Sequence, residues 1–362
     1  QPKYYFSNLA KITRARSYEH YDRKMIRDIF RQNHLNASFF ELALVLSFIA
    51  MGLLQDFVVV VIPSGASFFL LTTIILMVVT IFYSWFKGWA VSIIVLVLIG
   101  FNYFSTSTGF LQSSNKAYGL SYQQTVPYNL NSLKKMQFDE SVLNNDIDHH
   151  ISILENWKVK ASQAQGTDKP KLIIVNCSGG GLRSAMWTHF ILQEVDERTG
   201  GDFFKSTHLI TGASGGMIGA SYFRQIYAET TFEERLTKKE TYLTNISEDL
   251  LNKVAFNLAA HDVFLRYRKF EYNGETYLKE RGYSFEEELN DNTDFTLDIT
   301  LRDLVEPEFK SDIPLMIYTP TIINDGRRLV IGAQPYSFLN GTNFHNKTGI
   351  GPENIEFIKL FK

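Results

Sequence analysis

Cysteine is almost missing from this chain of 362 residues. Cys177 stands alone, so no intrachain disulfide can brace the fold. An excess of charge of one sign is missing too. The 36 Lys and Arg and 38 Asp and Glu leave a formal net charge of −2, which gives a nucleic-acid partner no electrostatic support. No internal repeat and no low-complexity tract is present. The glycine-rich turns lack the Gly-Lys-Ser/Thr ending of a P-loop and the spacing of a dinucleotide fingerprint. The adjacent pair His149-His150 lacks metal-ligand spacing. No motif calls for a metal or an organic cofactor.

What is present is distributed unevenly. Residues 1–37 form a basic segment in which Lys3, Lys11, Arg14, Arg16, Arg23, Lys24, Arg27 and Arg31 outnumber Glu19, Asp22 and Asp28. Residues 38–104 are strongly apolar and divide into three runs, Phe39 to Ile62, Ala66 to Phe86 and Gly88 to Phe104. A span needs about 20 apolar residues to cross roughly 30 Å of hydrocarbon, so the segment reads as about three transmembrane helices. Glu41, Gln55 and Asp56 interrupt the first run, and a carboxylate at mid-bilayer costs about 2.5–3.5 kcal/mol. Pro63-Ser64-Gly65 and Trp85-Phe86-Lys87-Gly88-Trp89 read as turns at headgroup level. A basic flank stays on the cytoplasmic side. Three crossings then put residue 105 onward outside the cytoplasm, and one re-entrant run would reverse that. The expected location is the inner membrane of a bacterium, with membrane lipids and other membrane proteins as partners.

Residues 105–164 read as a linker followed by an amphipathic helix from Asp139 to Trp157, with a polar loop from Ala161 to Lys169. From Lys171 the order is strand, glycine turn, helix, strand, glycine turn, helix. That is a βαβα unit, expected in a parallel sheet covered by helices. Residues 231–290 read as mostly helical and charged. Ile313 to Thr319 and Arg328 to Ile331 read as two strands joined at the hairpin turn Asn324-Asp325-Gly326.

The two glycine turns carry the chemistry. Ser178-Gly179-Gly180-Gly181-Leu182-Arg183 follows the apolar run 172–175, and Gly212-Ala213-Ser214-Gly215-Gly216 follows 208–210. A sharp strand-to-helix turn leaves backbone N–H groups free and favours negative charge. A serine flanked by small residues at such a turn is a nucleophile elbow. If the ligand is an oxyanion the two roles converge. N–H groups near Gly180 and Gly181 hold the charge that develops as Ser214 attacks a carbonyl. His189, His208 and Cys177 lie near these turns and read as packing residues.

The pair of motifs resembles the patatin-like phospholipase family, which carries a Gly-Gly-Gly-x-Arg/Lys oxyanion turn a few tens of residues before a Gly-x-Ser-x-Gly elbow. The resemblance covers roughly residues 165–345. It implies an α/β fold, a patatin-like parallel-sheet three-layer domain over residues 165–362, preceded here by a helical transmembrane segment. It further implies a Ser–Asp dyad acting on acyl esters of lipids, with Ser214 as nucleophile, Gly179, Gly180 and Gly181 as the oxyanion turn and Arg183 as its basic residue for substrate binding. The departure is the aspartate, which the family carries in Asp-Gly-Gly or Asp-Gly-Ala. The one Asp-Gly here is Asp325-Gly326, which makes Asp325 the candidate dyad aspartate within this sequence, although Arg327 follows it and Asn324-Asp325-Gly326 also reads as a hairpin turn. The opening Gln1 and the ending at Lys362 read as the interior of a longer protein, which would place the dyad aspartate past Lys362. Two alternatives stand beside this reading: an α/β-hydrolase esterase using Ser214, Asp325 and His345, and a catalytically inactive subunit of a membrane complex with the same fold.

Overall fold

The structure is a computed structural model. It describes residues 4–6, 11–14, 19–53, 62–108, 116–123, 125–137, 140–263, 268–340 and 353–361. The chain divides into two compact units, one of residues 1–115, 252–269 and 278–281, the other of 116–251, 270–277 and 282–362.

The first unit is helical. Helix α1 (Arg23–Leu53), α2 (Ser64–Phe86) and α3 (Ala90–Thr108) follow one another, with a 3₁₀ turn at Lys87–Trp89 between the last two. Two helical stretches, Arg23–Gly52 and Ser64–Phe104, are long and apolar enough to cross a membrane. The second is broken where Lys87 takes a left-handed φ of 49°, inside the expected Trp85–Trp89 turn. Helix α1 starts well before its apolar run, so the basic residues from Arg23 to Arg31 occupy its first turns. Two polar contacts join α1 to α2. Thr80 Oγ1 donates to Glu41 Oε2 at 2.8 Å, and Trp85 Nε1 donates to the buried Ser38 Oγ at 2.8 Å. The Glu41 carboxylate therefore has a donor within the helix pair, which offsets part of its cost in an apolar setting. Gln55 and Asp56 lie outside the described residues.

Residues 252–269 belong to this unit, although they follow the catalytic-looking motifs in sequence. Asn252 Oδ1 accepts from Ser64 N at 2.7 Å, at the start of α2. A side chain at Gly52, near the end of α1, would place its Cβ 2.7 Å from Ala260 O, so glycine there lets the two backbones meet. The expected single domain over 165–362 is thus interrupted. The reason is close packing between backbones far apart in sequence, which composition does not register.

The second unit is α/β with a small parallel sheet. Strands β1 (Ile173–Cys177), β2 (Thr207–Gly212) and β3 (Leu315–Tyr318) pair in that order, all parallel. Helix α4 (Glu140–Gln165) precedes β1, α5 (Gly181–Arg198) joins β1 to β2, and α6 (Ser214–Glu229) leaves β2. Cys177, Leu192, Phe204, Ile210, Met217, Ala220, Phe223 and Met316 form its main apolar core. Burial raises the thiol pKa of Cys177, consistent with its packing role. Two ion pairs are buried with it, Arg224–Glu308 at 2.6 Å and Arg235–Asp196 at 2.8 Å.

Three local expectations are corrected. Helix α4 continues to Gln165, through the expected loop from Ala161, because Ile153, Trp157 and Ala161 form one buried stripe at i, i+4 and i+8. Leu315–Tyr318 is the third strand of the parallel sheet. Its expected hairpin with 328–331 survives as isolated antiparallel bridges, Tyr318 to Ile331 and Thr321 to Arg328, while Arg328–Val330 pairs parallel with Asn354–Glu356. The described residues of 231–290 are mostly helical, as read, with one departure: Lys269–Tyr272 and Glu275–Leu278 are strands. Asn273 (φ 51°) and Gly274 (φ 78°) make their turn, and this Asn-Gly pair was the sequence signal for it.

Candidate active site

Parallel pairing puts the C-terminal ends of β1 and β2 side by side, with Cys177 in register with Gly212. Both glycine turns therefore leave the sheet at the same end, and each opens a helix. Ala213 N donates to Cys177 O at 3.0 Å, tying the start of the second turn to the last residue of β1. Ser184, in the first turn of α5, donates its hydroxyl to Ser178 O and closes the first turn on itself.

Glycine is required at this junction by contact as well as by conformation. A Cβ on Gly215 would lie 1.9 Å from Gly181 O, one on Gly216 2.3 Å from Ser178 O, and one on Gly219 2.0 Å from Ala185 O. The backbones of α5 and α6 thus touch directly from the turns into the helices. Gly180 and Gly181 also have φ of 155° and 61°.

Ser214 is the first residue of α6 and has a φ of 52°, a region that side chains other than glycine enter at a cost. It is exposed, as are Gly179, Gly180 and Gly181. A methyl group on Gly179 would sit 3.4 Å from Ser214 Cβ, so the hydroxyl-bearing carbon and the first glycine are near neighbours. The helix-opening amides of α5 and α6 have no helical acceptor. An exposed hydroxyl beside helix-opening N–H groups, at two converging helix starts, is an arrangement able to attack a carbonyl and hold the resulting oxyanion.

The remaining sequence candidates fall elsewhere. Asp325 lies in the turn before Gly326 (φ 78°) and its carboxylate is held locally. Oδ2 accepts from Arg327 Nη1 and from Tyr128 Oη, both at 2.8 Å, and Oδ1 accepts from Arg327 N at 3.2 Å. Among the described residues, no group hydrogen-bonds Ser214 Oγ. Arg183 is exposed on the first turn of α5. His345 lies outside the described residues. His189 is fully buried and stacked on Tyr222, with its pKa lowered by burial to about 3. His208 packs edge-on to Trp157, and burial lowers its pKa. His149 and His150 reach Gln334 Oε1 at 2.8 Å and Pro335 O at 2.7 Å.

Sequence reasoning found the two turns but missed Gly219, whose role shows only in the contact between helices. The small-residue spacing of Gly215 and Gly219 on α6 was the available signal.

In outline, the fold and site define a helical unit with membrane-length stretches and an α/β unit with a serine at a strand–helix elbow. Comparison with known proteins finds no matching family model, no matching curated protein and no matching solved structure.

Proposed function

We propose that this protein is a membrane-anchored serine acyl hydrolase of the patatin type, cleaving acyl esters of membrane lipids. The observation that carries this reading is the juxtaposition at the sheet end: exposed Ser214 at φ 52°, with Gly179 in van der Waals reach. Ser214 Oγ attacks the ester carbonyl, and the amides around Gly180 and Gly181 hold the oxyanion. An aspartate takes the serine proton and passes it to the departing alcohol oxygen as the ester C–O bond breaks; it then takes a proton from the water that attacks the acyl-enzyme and returns it to Ser214 Oγ as the fatty acid leaves. Loss of one such amide donor costs about 10²–10³ in turnover. Arg183, exposed on the first turn of α5, meets the lipid phosphate in this reading. Helices α1 to α3 cross a bacterial inner membrane and hold the site near its substrate at high effective concentration. The α/β unit lies outside the cytoplasm, with the basic start of α1 inside.

The test is fatty-acid release from phospholipid vesicles by the intact protein and by Ser214→Ala. Abolished release in the variant supports the assignment, and equal rates remove it. A second reading, an inactive subunit of a membrane assembly, is favoured by two observations. Among the described residues nothing hydrogen-bonds Ser214 Oγ, and Asp325 is engaged by Arg327 and Tyr128. Labelling of Ser214 by a fluorophosphonate separates the two, because it requires an activated serine.

A further inference from the structure

A cavity of about 740 Å³ opens between the first turns of α1 and the last turns of α2. Lys24, Arg27, Arg31 and His34 line it from α1, at i, i+3, i+7 and i+10, so a single helix face presents them. Lys87 joins them from the turn after α2. Among the described residues, Lys24, Arg27, Arg31 and Lys87 make no ion pair. Two carboxylates share the lining, Asp28 and Glu41, and Glu41 already accepts the Thr80 hydroxyl. The four cations outnumber the two carboxylates, which leaves the concave space net positive and favours an anion within it.

The level of the cavity along the helices indicates which anion. Its basic residues lie toward the end of α1 remote from Gly52, and Arg31 among them is about 30 Å from Gly52 along the helix, the thickness of a hydrocarbon core. Tyr83, Trp85 and Trp89 are exposed beside it, as aromatic residues are at the boundary between hydrocarbon and water. Basic pockets between membrane helices at this level suit phospholipid headgroups.

We propose that this cavity binds the phosphate of an anionic phospholipid headgroup, as a structural lipid site separate from Ser214. The proposal rests on the membrane-spanning reading and not on hydrolysis. Ser214→Ala should therefore leave it intact even if the protein is inactive as an enzyme. The full chain is reconstituted in phosphatidylcholine vesicles with and without phosphatidylglycerol, then extracted in detergent, and retained lipid is counted by native mass spectrometry. Phosphatidylglycerol is expected to be retained over phosphatidylcholine. Arg27→Gln, Arg31→Gln and Lys87→Gln should each weaken retention about fivefold, the effect of one cation near an anionic surface. Arg23→Gln, which removes the same charge from α1 outside the cavity, should not. Unchanged melting temperatures in phosphatidylcholine alone verify that the variants fold. Equal loss in Arg23→Gln would overturn the proposal in favour of diffuse surface attraction. No preference for phosphatidylglycerol would overturn it as well. Displacement of the lipid by inorganic phosphate, with the same gain in melting temperature, would reassign the cavity to free phosphate.

Discussion

Alanine at Gly215 probes the contact on which the candidate site depends. Its Cβ would stand 1.9 Å from Gly181 O, 2.6 Å from Gly181 C and 3.2 Å from Gly181 Cα. All three are backbone atoms, so no rotamer change relieves the overlap. The two turns must separate by about 1 Å, an overpacking that costs about 1–3 kcal/mol of stability. A displacement of that size at a reacting centre costs about 10²-fold in rate. Gly179→Ala is the informative partner. Its methyl group would meet Ser214 Cβ at 3.4 Å, an ordinary contact, and Gly179 is not in the left-handed region. The fold should tolerate it, or gain about 0.4–1 kcal/mol from a stiffer unfolded chain. The added methyl nevertheless occupies the space beside the nucleophile. The expected pattern is reduced stability and activity in Gly215→Ala, but reduced activity at full stability in Gly179→Ala. Denaturant midpoints and fatty-acid release from phospholipid vesicles measure the two quantities. A Gly215→Ala protein with wild-type values of both would refute the argued contact, and a fully active Gly179→Ala would refute the proposed approach path.

Three further predictions concern single groups. Ser214→Gly should raise stability by about 1 kcal/mol by releasing the left-handed strain while abolishing hydrolysis, whereas Ser214→Ala keeps the strain; thermal melts of the pair decide it. Arg224→Met should cost about 3–5 kcal/mol by leaving the Glu308 carboxylate buried without its partner, and the double variant Arg224→Met/Glu308→Leu should recover most of that in denaturant titrations. Burial holds the His189 pKa at about 3, so the unfolded chain takes up a proton below its ordinary 6.5 while the folded one does not until about 3. Stability from this group is therefore complete above the ordinary value and falls with pH through that window, by up to about 1.4 kcal/mol per pH unit. His189→Gln should flatten that dependence in unfolding curves measured across the same pH range.

The sequence alone determined the local pattern. Alternating strand, glycine turn and helix fixes the βαβα order, because each transition is governed by neighbouring residues. The apolar runs mark the two membrane-length helical stretches for the same reason, although not their bounds or their number. Asp325 was legible as a turn residue, and its bonds to Arg327 and Tyr128 keep it there. Tertiary structure decided the rest. That Leu315–Tyr318 completes the parallel sheet, that 252–269 packs on the membrane-length helices, and that three cations of α1 and Lys87 of the turn after α2 line one cavity are facts about residues distant in sequence. Neither hydrophobic period nor composition encodes such proximity. The glycines at 215 and 219 show the division well: sequence marks them as small, and only the crossing of two backbones explains why nothing larger fits.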